Sequence, residues 1–191
     1  MNAENQEIIL TAEMTPNPNT IKFNVNKTIL EKGVADFPEK DKAQGSLLPQ
    51  KLFDFDFVKG VMIGPNFITV TKSEATEWNE VIAEIADVIK PILNSSDPII
   101  AEDVISDSES SSDEGEIEQK IKAILDKEIR PAVAMDGGDI TFHGYDNGIV
   151  TLTLRGACSS CPSSVMTLKM GVERRLKEVI PEIKEVVQVN E

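Results

Sequence analysis

The chain of 191 residues has 19 Lys and Arg against 33 Asp and Glu, a formal net charge of −14 at pH 7, and 40% of its residues are hydrophobic. A chain of this length and apolar content can bury one medium core or two small ones. The acidic balance argues against nucleic acid and anionic membrane surfaces as partners, because both carry negative charge themselves.

The sequence also carries expectations about compartment. Its first residues, MNAENQEIIL, lack a basic segment followed by an apolar run, and no stretch approaches the roughly 20 apolar residues of a membrane span. Two cysteines in the whole chain do not make the dense disulfide framework of small secreted domains. We therefore expect a soluble cytoplasmic protein in a reducing compartment.

The first domain, residues 1–93, is predicted as a small α+β unit. Strands are expected at about 7–14 and 20–25, on either side of the turn sequence TPNPNT. A Gly-Pro-Asn turn joins two more strands in VKGVMIGPNFITVTK. From Trp78 to Ile92, apolar residues recur at three- and four-residue spacing, which predicts an amphipathic helix with Trp78 as a packing residue.

A change of composition separates this domain from the next. Residues 94–116, NSSDPIIAEDVISDSESSSDEGE, contain no Lys, Arg or aromatic side chain and are rich in Ser, Asp and Glu. Such a segment buries too little apolar surface to offset the entropy of ordering it. It is predicted to be a flexible, solvated linker.

The second domain, residues 117–191, is predicted to run α-β-β-α-β. An apolar stripe from Ile117 to Leu125 indicates a helix, which Pro131 is expected to stop. The following segment, AVAMDGGDITFHGYDNGIVTLTLRG, predicts two strands joined by a tight turn at Asp-Asn-Gly. A helix from Pro162 and a last strand in IKEVVQV complete the order, and the whole chain is classed as α+β.

Both cysteines lie in one heptapeptide of this domain. Cys158 and Cys161 occur in GACSSCP, at the predicted turn from strand to helix, where amide N–H groups and the helix dipole favour thiolates. Pro162 suits the first helical turn, because the amide hydrogen that it lacks has no partner within the helix there. The small neighbouring residues are expected to leave both sulfurs sterically open.

Several kinds of site remain open on these residues alone. A pair of inert buried thiols fits a Gly/Ser loop poorly, and a closed zinc site needs about four ligands where the chain has two thiols and one His. A dithiol redox centre stays possible, although no Trp precedes Cys158 and the proline follows the second cysteine. The remaining possibility is a metal centre to which each of two chains gives two thiolates.

The surrounding residues resemble a known family. RPAVAMDGGDI, the strand pair and GACSSCPSSVMTLKMGVERRLKEVIPEI resemble the iron–sulfur domain of Nfu-type proteins, which is also the C-terminal domain of NifU. TPNPNTIKF, SLLPQKLF and GPNFITVTKSEATEW resemble the N-terminal domain that accompanies it in Nfu proteins. Together these segments cover nearly all of the chain outside the acidic linker.

The resemblance implies an iron–sulfur cluster carrier and not an enzyme. In such a protein Cys158 and Cys161 are the cluster ligands, and a cluster, usually [4Fe-4S] with [2Fe-2S] possible, is held between the two protomers of a homodimer. Assembly machinery would supply the cluster, apo-proteins would receive it, and the N-terminal domain would contribute to partner recognition. A thiol–disulfide oxidoreductase that uses the same two cysteines is the alternative function.

Other residues that resemble site residues are assigned structural roles. The DGGD sequence at 136–139 is interpreted as a turn into a strand, and His143 is expected to lie on a strand away from the cysteines. Met166 and Met170 are assigned to packing, in a core or at an interface. Arg155, next to the cysteine loop, is a candidate for holding thiolate or cluster charge by proximity alone.

Overall fold

The computed structural model describes residues 7–95, 98–101, 115–159 and 162–189, without the side chains of 162–164. The chain divides into two compact units, Met1–Asp107 and Ser108–Glu191. Each unit combines one small sheet with helices, so the predicted α+β class is confirmed. None of the helices in the described segments is long and apolar enough to cross a membrane.

The first unit is built on a five-stranded sheet with the strand order β1-β2-β5-β4-β3, in which neighbouring strands are antiparallel. The elements of this unit are β1 Leu10–Met14, β2 Thr20–Val25, β3 Ala35–Phe37, a 3-10 turn Lys40–Ala43, α1 Leu47–Leu52, β4 Val58–Ile63, β5 Phe67–Lys72 and α2 Trp78–Asn94. The predicted hairpin is β4 and β5, and the predicted helix is α2. The short strand β3 was not predicted.

Alternation along the strands directs one face of this sheet to the core. Ile68 and Val70 of β5 are fully buried together with Ile85 and Ile89 of α2, which follow each other at four-residue spacing. Trp78 is buried in the same cluster, as predicted. Its indole N–H donates to the Pro18 carbonyl at 2.9 Å, which ties the TPNPNT turn to the start of α2.

Part of the segment assigned to the linker packs on the first unit. Ile100 is buried in its core, with Ile99 partly buried beside it. The amide of Leu48 donates to the carbonyl of Ile99 at 3.2 Å, and the amide of Ala101 donates to Ser46 Oγ at 3.0 Å. Two adjacent isoleucines supply apolar surface that the average composition of the segment hides. The rest of the predicted linker, 96–97 and 102–114, lies outside the described residues, and the domain boundaries stay a prediction.

The second unit has a three-stranded sheet with the order β6-β7-β8, antiparallel between β6 and β7 and parallel between β7 and β8. The elements are α3 Glu116–Ile124, a π-helical turn Leu125–Ile129, α4 Arg130–Met135, β6 Gly138–Asp146, β7 Ile149–Gly156, α5 Pro162–Val179 and β8 Glu185–Gln188. Because α3, the π turn and α4 follow without a break, the order is α-β-β-α-β as predicted.

The expected effect of Pro131 was wrong. The helix passes through this proline to Met135, so the AVAM segment is helical and the strand begins only at Gly138. In the π turn the amide of Arg130 donates to the carbonyl of Leu125, five residues earlier. A regular helix would bring the proline ring against the carbonyl four residues before it, and the wider turn relieves this contact.

The core of the second unit lies between α5 and the inner face of the sheet. Ile140 of β6 and Leu152 of β7 are buried there with Val172 and Leu176 of α5. Cys158 belongs to the same buried cluster. The core therefore reaches to the end of β7, where the cysteine loop begins.

A carboxylate connects α5 to the edge strand β8. Glu173 Oε2 accepts the amide of Val186 at 3.0 Å, and Lys177 Nζ donates to Glu173 Oε1 at 2.5 Å. These two donors, the lysine first, lower the pKa of Glu173 from its ordinary value of 4.5. The ionised form of Glu173 is therefore the one that holds β8 against the helix.

Candidate functional site

Cys158 lies in the predicted place, between the end of β7 at Gly156 and the start of α5 at Pro162. Cys161 falls outside the described residues, so geometry is available for the first of the two thiols. The sequence places Cys161 directly before α5. Both cysteines thus belong to the connection between one core strand and one core helix.

The expectation that the sulfurs are sterically open is wrong for Cys158. Cys158 is 6% exposed and packs within the hydrophobic cluster of the second unit. A Cβ atom added at Gly138 would lie 2.5 Å from Cys158 Sγ. The small residues around Cys158 let the loop fold inward onto a glycine of β6, which sequence alone did not indicate.

Hydrogen bonds to backbone carbonyls hold the described part of this loop. The amide of Ala157 donates to the Gly137 carbonyl at 3.1 Å, and Ser159 donates to the Gly156 carbonyl through both its amide, at 3.2 Å, and its hydroxyl, at 2.9 Å. Gly137 and Gly156 have φ angles of 75° and 62°, in the left-handed region that side chains rarely adopt. The turn interpretation of DGGD is correct for Gly137, and the turn also supports the cysteine loop, a role that was missed. The sequence signal for this supporting role would have been the two glycines Gly138 and Gly156, which the register of β6 and β7 places opposite each other.

Buried charges lie at the next position of the same strand pair. Asp139 is opposite Arg155, both residues are buried, and Arg130 Nε lies 3.1 Å from Asp139 Oδ1. Burial raises the pKa of Asp139 above its ordinary value, and outweighs the two arginines, which act in the opposite direction. Since side chains alternate along a strand, Asp139 and Arg155 project from the face opposite to the one where Cys158 meets Gly138. The structure thus gives Arg155 an acidic neighbour on the far face of the sheet.

His143 is part of the sheet surface. Its Nε2 lies 2.8 Å from Thr153 Oγ1 on β7, and that hydroxyl donates in turn to the Val189 carbonyl at 3.0 Å. In the described segments, no three His, Cys, Asp or Glu side chains lie close enough together to hold a metal ion. The described residues therefore offer no closed metal site within one chain.

The two methionines after the cysteines are exposed. Met166 is 61% exposed and Met170 is 65% exposed, although both lie on α5, whose other face is buried. A place in the core is therefore wrong for both side chains. Of the two packing roles expected for these methionines, a place at an interface is the one compatible with their exposure.

Comparison with known proteins matches both halves of the chain. The family model described as "Scaffold protein Nfu/NifU N terminal" matches residues 9–96, and the one described as "NifU-like domain" matches residues 121–187. The human NFU1 iron-sulfur cluster scaffold homolog, mitochondrial, is 42% identical over 183 residues, which cover 95% of this chain and 72% of that protein. The protein of the same name from Drosophila ananassae is 43% identical over 186 residues, 96% of this chain and 65% of the relative. The solution structure of a NifU-like protein from Saccharomyces cerevisiae is 26% identical and covers 53% of this chain and 91% of its own, with a TM-score of 0.46.

The names of these relatives contradict the expected cytoplasmic location. Both the human and the Drosophila ananassae proteins are named as mitochondrial. The expectation depended on the first ten residues, on the lack of an apolar run of membrane-spanning length and on the low cysteine count, and two cysteines do not distinguish one reducing compartment from another.

The two matched models follow each other in the order that the sequence motifs indicate, and the human relative aligns over most of both chains. The cysteine pair lies within the matched NifU-like domain. The chain belongs to the Nfu family of iron–sulfur cluster scaffold proteins.

Proposed function

We propose that two copies of this chain hold one iron–sulfur cluster between them through Cys158 and Cys161 of each copy, and pass it to apo-proteins. The observation that carries the proposal is the position of the two thiols. They are the only cysteines of the chain, and they stand three residues apart at the strand-to-helix turn of the NifU-like domain.

The number of ligands favours sharing between two chains. Iron–sulfur clusters are commonly held by about four thiolates, and each chain has two. A second copy completes the set with no ligand of another kind. We take [4Fe-4S] as the cargo, and an iron count per chain distinguishes it from [2Fe-2S].

The loop around Cys158 accounts for binding and for release. Thiolate sulfur is a soft ligand that suits iron–sulfur clusters, so the donor atoms fit the cargo. Because Cys158 is packed against Gly138, it must leave this contact to reach a cluster shared with another chain. The contact is regained on release, which favours return of the cluster-free form. Ligand exchange of this kind leaves the carrier chemically unchanged, so we assign no enzymatic activity.

The first unit is proposed to serve partner recognition. Both cysteines lie in the second unit, so the first provides no thiolate. We propose domains at 1–93 and 117–191 joined by the segment 94–116, of which Ile99 and Ile100 pack on the first unit. The proposed partners are apo iron–sulfur proteins and the upstream assembly machinery.

Cluster transfer tests the proposal. The chain is loaded anaerobically with iron and sulfide and mixed with an apo-protein that takes up a [4Fe-4S] cluster, and the acceptor's activity is followed in the presence of an iron chelator. We expect the loaded chain to activate the acceptor, Cys158→Ser and Cys161→Ser to load little cluster, and the control His143→Ala to behave as the unmodified chain. Loading that persists in both cysteine variants would contradict the proposal.

A further inference from the structure

The exposed methionines form a small surface on α5, which we call the Met166/Met170 face. The two residues are four apart, so they lie on the same side of the helix one turn from each other. They are 61% and 65% exposed, while Val172 and Leu176 on another side of the helix are buried. Two large apolar side chains are thus presented to solvent side by side.

This face is next to the cysteine loop. The helix begins at Pro162, directly after Cys161, and a helix rises about 1.5 Å per residue. Met166 is therefore about 6 Å and Met170 about 12 Å along the axis from the first residue of the helix. Any molecule that approaches the loop from this side meets both methionines.

The sequence on both sides of the cysteines differs in charge from the rest of the chain. Residues 147–172, which include β7, both cysteines and the first half of α5, contain no Asp or Glu, although the chain has 33 of them and a net charge of −14. The charged residues of the segment are Arg155 and Lys169. Two copies of so acidic a chain repel each other, and this segment adds no carboxylate to that repulsion, although Asp136 lies beside the loop, next to the Gly137 carbonyl that accepts the amide of Ala157.

We propose that the Met166/Met170 face is the surface through which a second copy of this chain packs when two copies share a cluster. The inference rests on the proposed function: if the second copy provides two of the ligands, it must contact residues next to the loop. The flexible, polarizable side chains of methionine adapt to an opposing surface. The first half of α5, 162–170, carries Lys169 as its one charged residue and so adds no carboxylate to a contact between two chains of charge −14.

The test compares the loaded dimers of four proteins in the full chain. In Met166→Glu/Met170→Glu, a carboxylate replaces each exposed thioether, and we expect the cluster-loaded dimer to dissociate at least about tenfold more readily, since two added charges meet their counterparts across the contact. Met166→Leu/Met170→Leu keeps the apolar face and should dimerise as the unmodified chain does. Met14→Glu is the matched control, because Met14 is 67% exposed on β1 of the other unit.

The measurement is sedimentation velocity under anaerobic conditions over a range of protein and salt concentrations, with iron per chain determined on each sample. The unfolding midpoint of the cluster-free variants shows whether each has folded. An unmodified chain that loads no cluster would remove the proposed function and this inference with it. An unmodified chain that loads as a dimer, with the glutamate variant equally tight, would overturn this inference alone. This inference would also be overturned if the glutamate variant dimerised normally but transferred its cluster slowly, because the face would then contact the acceptor and not the second copy.

Discussion

At the scale of single residues, the central relation is between Cys158 and Gly138. The motif GACSSCP identified the thiols and their place between a strand and a helix, because both features are local in sequence. It did not indicate that Cys158 is buried, because burial depends on the pairing of Gly138 with Gly156 between two strands. A contact that depends on strand register cannot be obtained from the composition of the loop.

Replacing this glycine should expose the thiol. In Gly138→Ala the new Cβ would lie 2.5 Å from Cys158 Sγ and 3.0 Å from the Arg155 carbonyl, so the loop or the strand must shift. We expect a loss of about 1–3 kcal/mol in the free energy of unfolding, as for other overpacked sites. In a Cys161→Ser background, Cys158 should react faster with a thiol reagent, as followed by mass spectrometry.

Gly144→Ala provides the control on the same strand, because a Cβ there has no heavy atom within 4 Å. It should leave both the stability and the thiol reactivity near those of the unmodified chain. Equal reactivity of Cys158 in the Gly138→Ala and Gly144→Ala proteins would show that Gly138 does not hold the thiol in place.

At the scale of secondary structure, the sequence predicted elements better than their ends. Strand β2 lies where the TPNPNT turn predicts it, and helix α2 lies where the apolar spacing of three to four residues predicts it, because both signals are local in sequence. The helix containing Pro131 was predicted to end too early, because the rule for proline assumes a regular α-helix and the chain has a π turn there. The three-residue strand β3 is too short to show a period.

The connection between α5 and β8 depends on one ionised side chain. Glu173→Ala removes the acceptor for the Val186 amide and the partner of Lys177, and should lower the free energy of unfolding by about 1–2 kcal/mol. Because the pKa of Glu173 is lowered by folding, its contribution is present above its ordinary pKa of 4.5 and is lost as the pH falls through the lower folded value. The difference between Glu173→Ala and the unmodified chain should therefore shrink in acid.

Urea unfolding at neutral pH and below pH 4.5 measures both effects, with Glu178→Ala as the control. Glu178 pairs with Arg174 and Arg175 on the exposed side of the helix, at 3.2 and 3.4 Å, and its loss should cost less than about 1 kcal/mol. A deficit in Glu173→Ala that stays constant as the pH falls would show that its charge is not what stabilises β8.

At the scale of the whole molecule, the chain consists of two units with separate cores, and the proposed chemistry belongs to one of them. The acidic, serine-rich composition of 94–116 was enough to predict two domains, since such a segment has too little apolar surface for a core of its own. That Ile99 and Ile100 pack on the first unit was hidden by this average. The sequence alone did not identify the compartment. The expected cytoplasmic location is contradicted by the names of the relatives, which are mitochondrial. The sequence does give the ligand count, two thiols per chain, on which the proposed sharing between two copies is based.

The most direct test of this sharing is native mass spectrometry of the anaerobically reconstituted chain, with Cys158→Ala and Cys161→Ala measured alongside. We predict a species of two chains that contains one four-iron cluster, and its absence in both variants, because each variant pair has two thiolates where about four are needed. A cluster retained on a single chain, or a loaded dimer in either variant, would contradict the shared site.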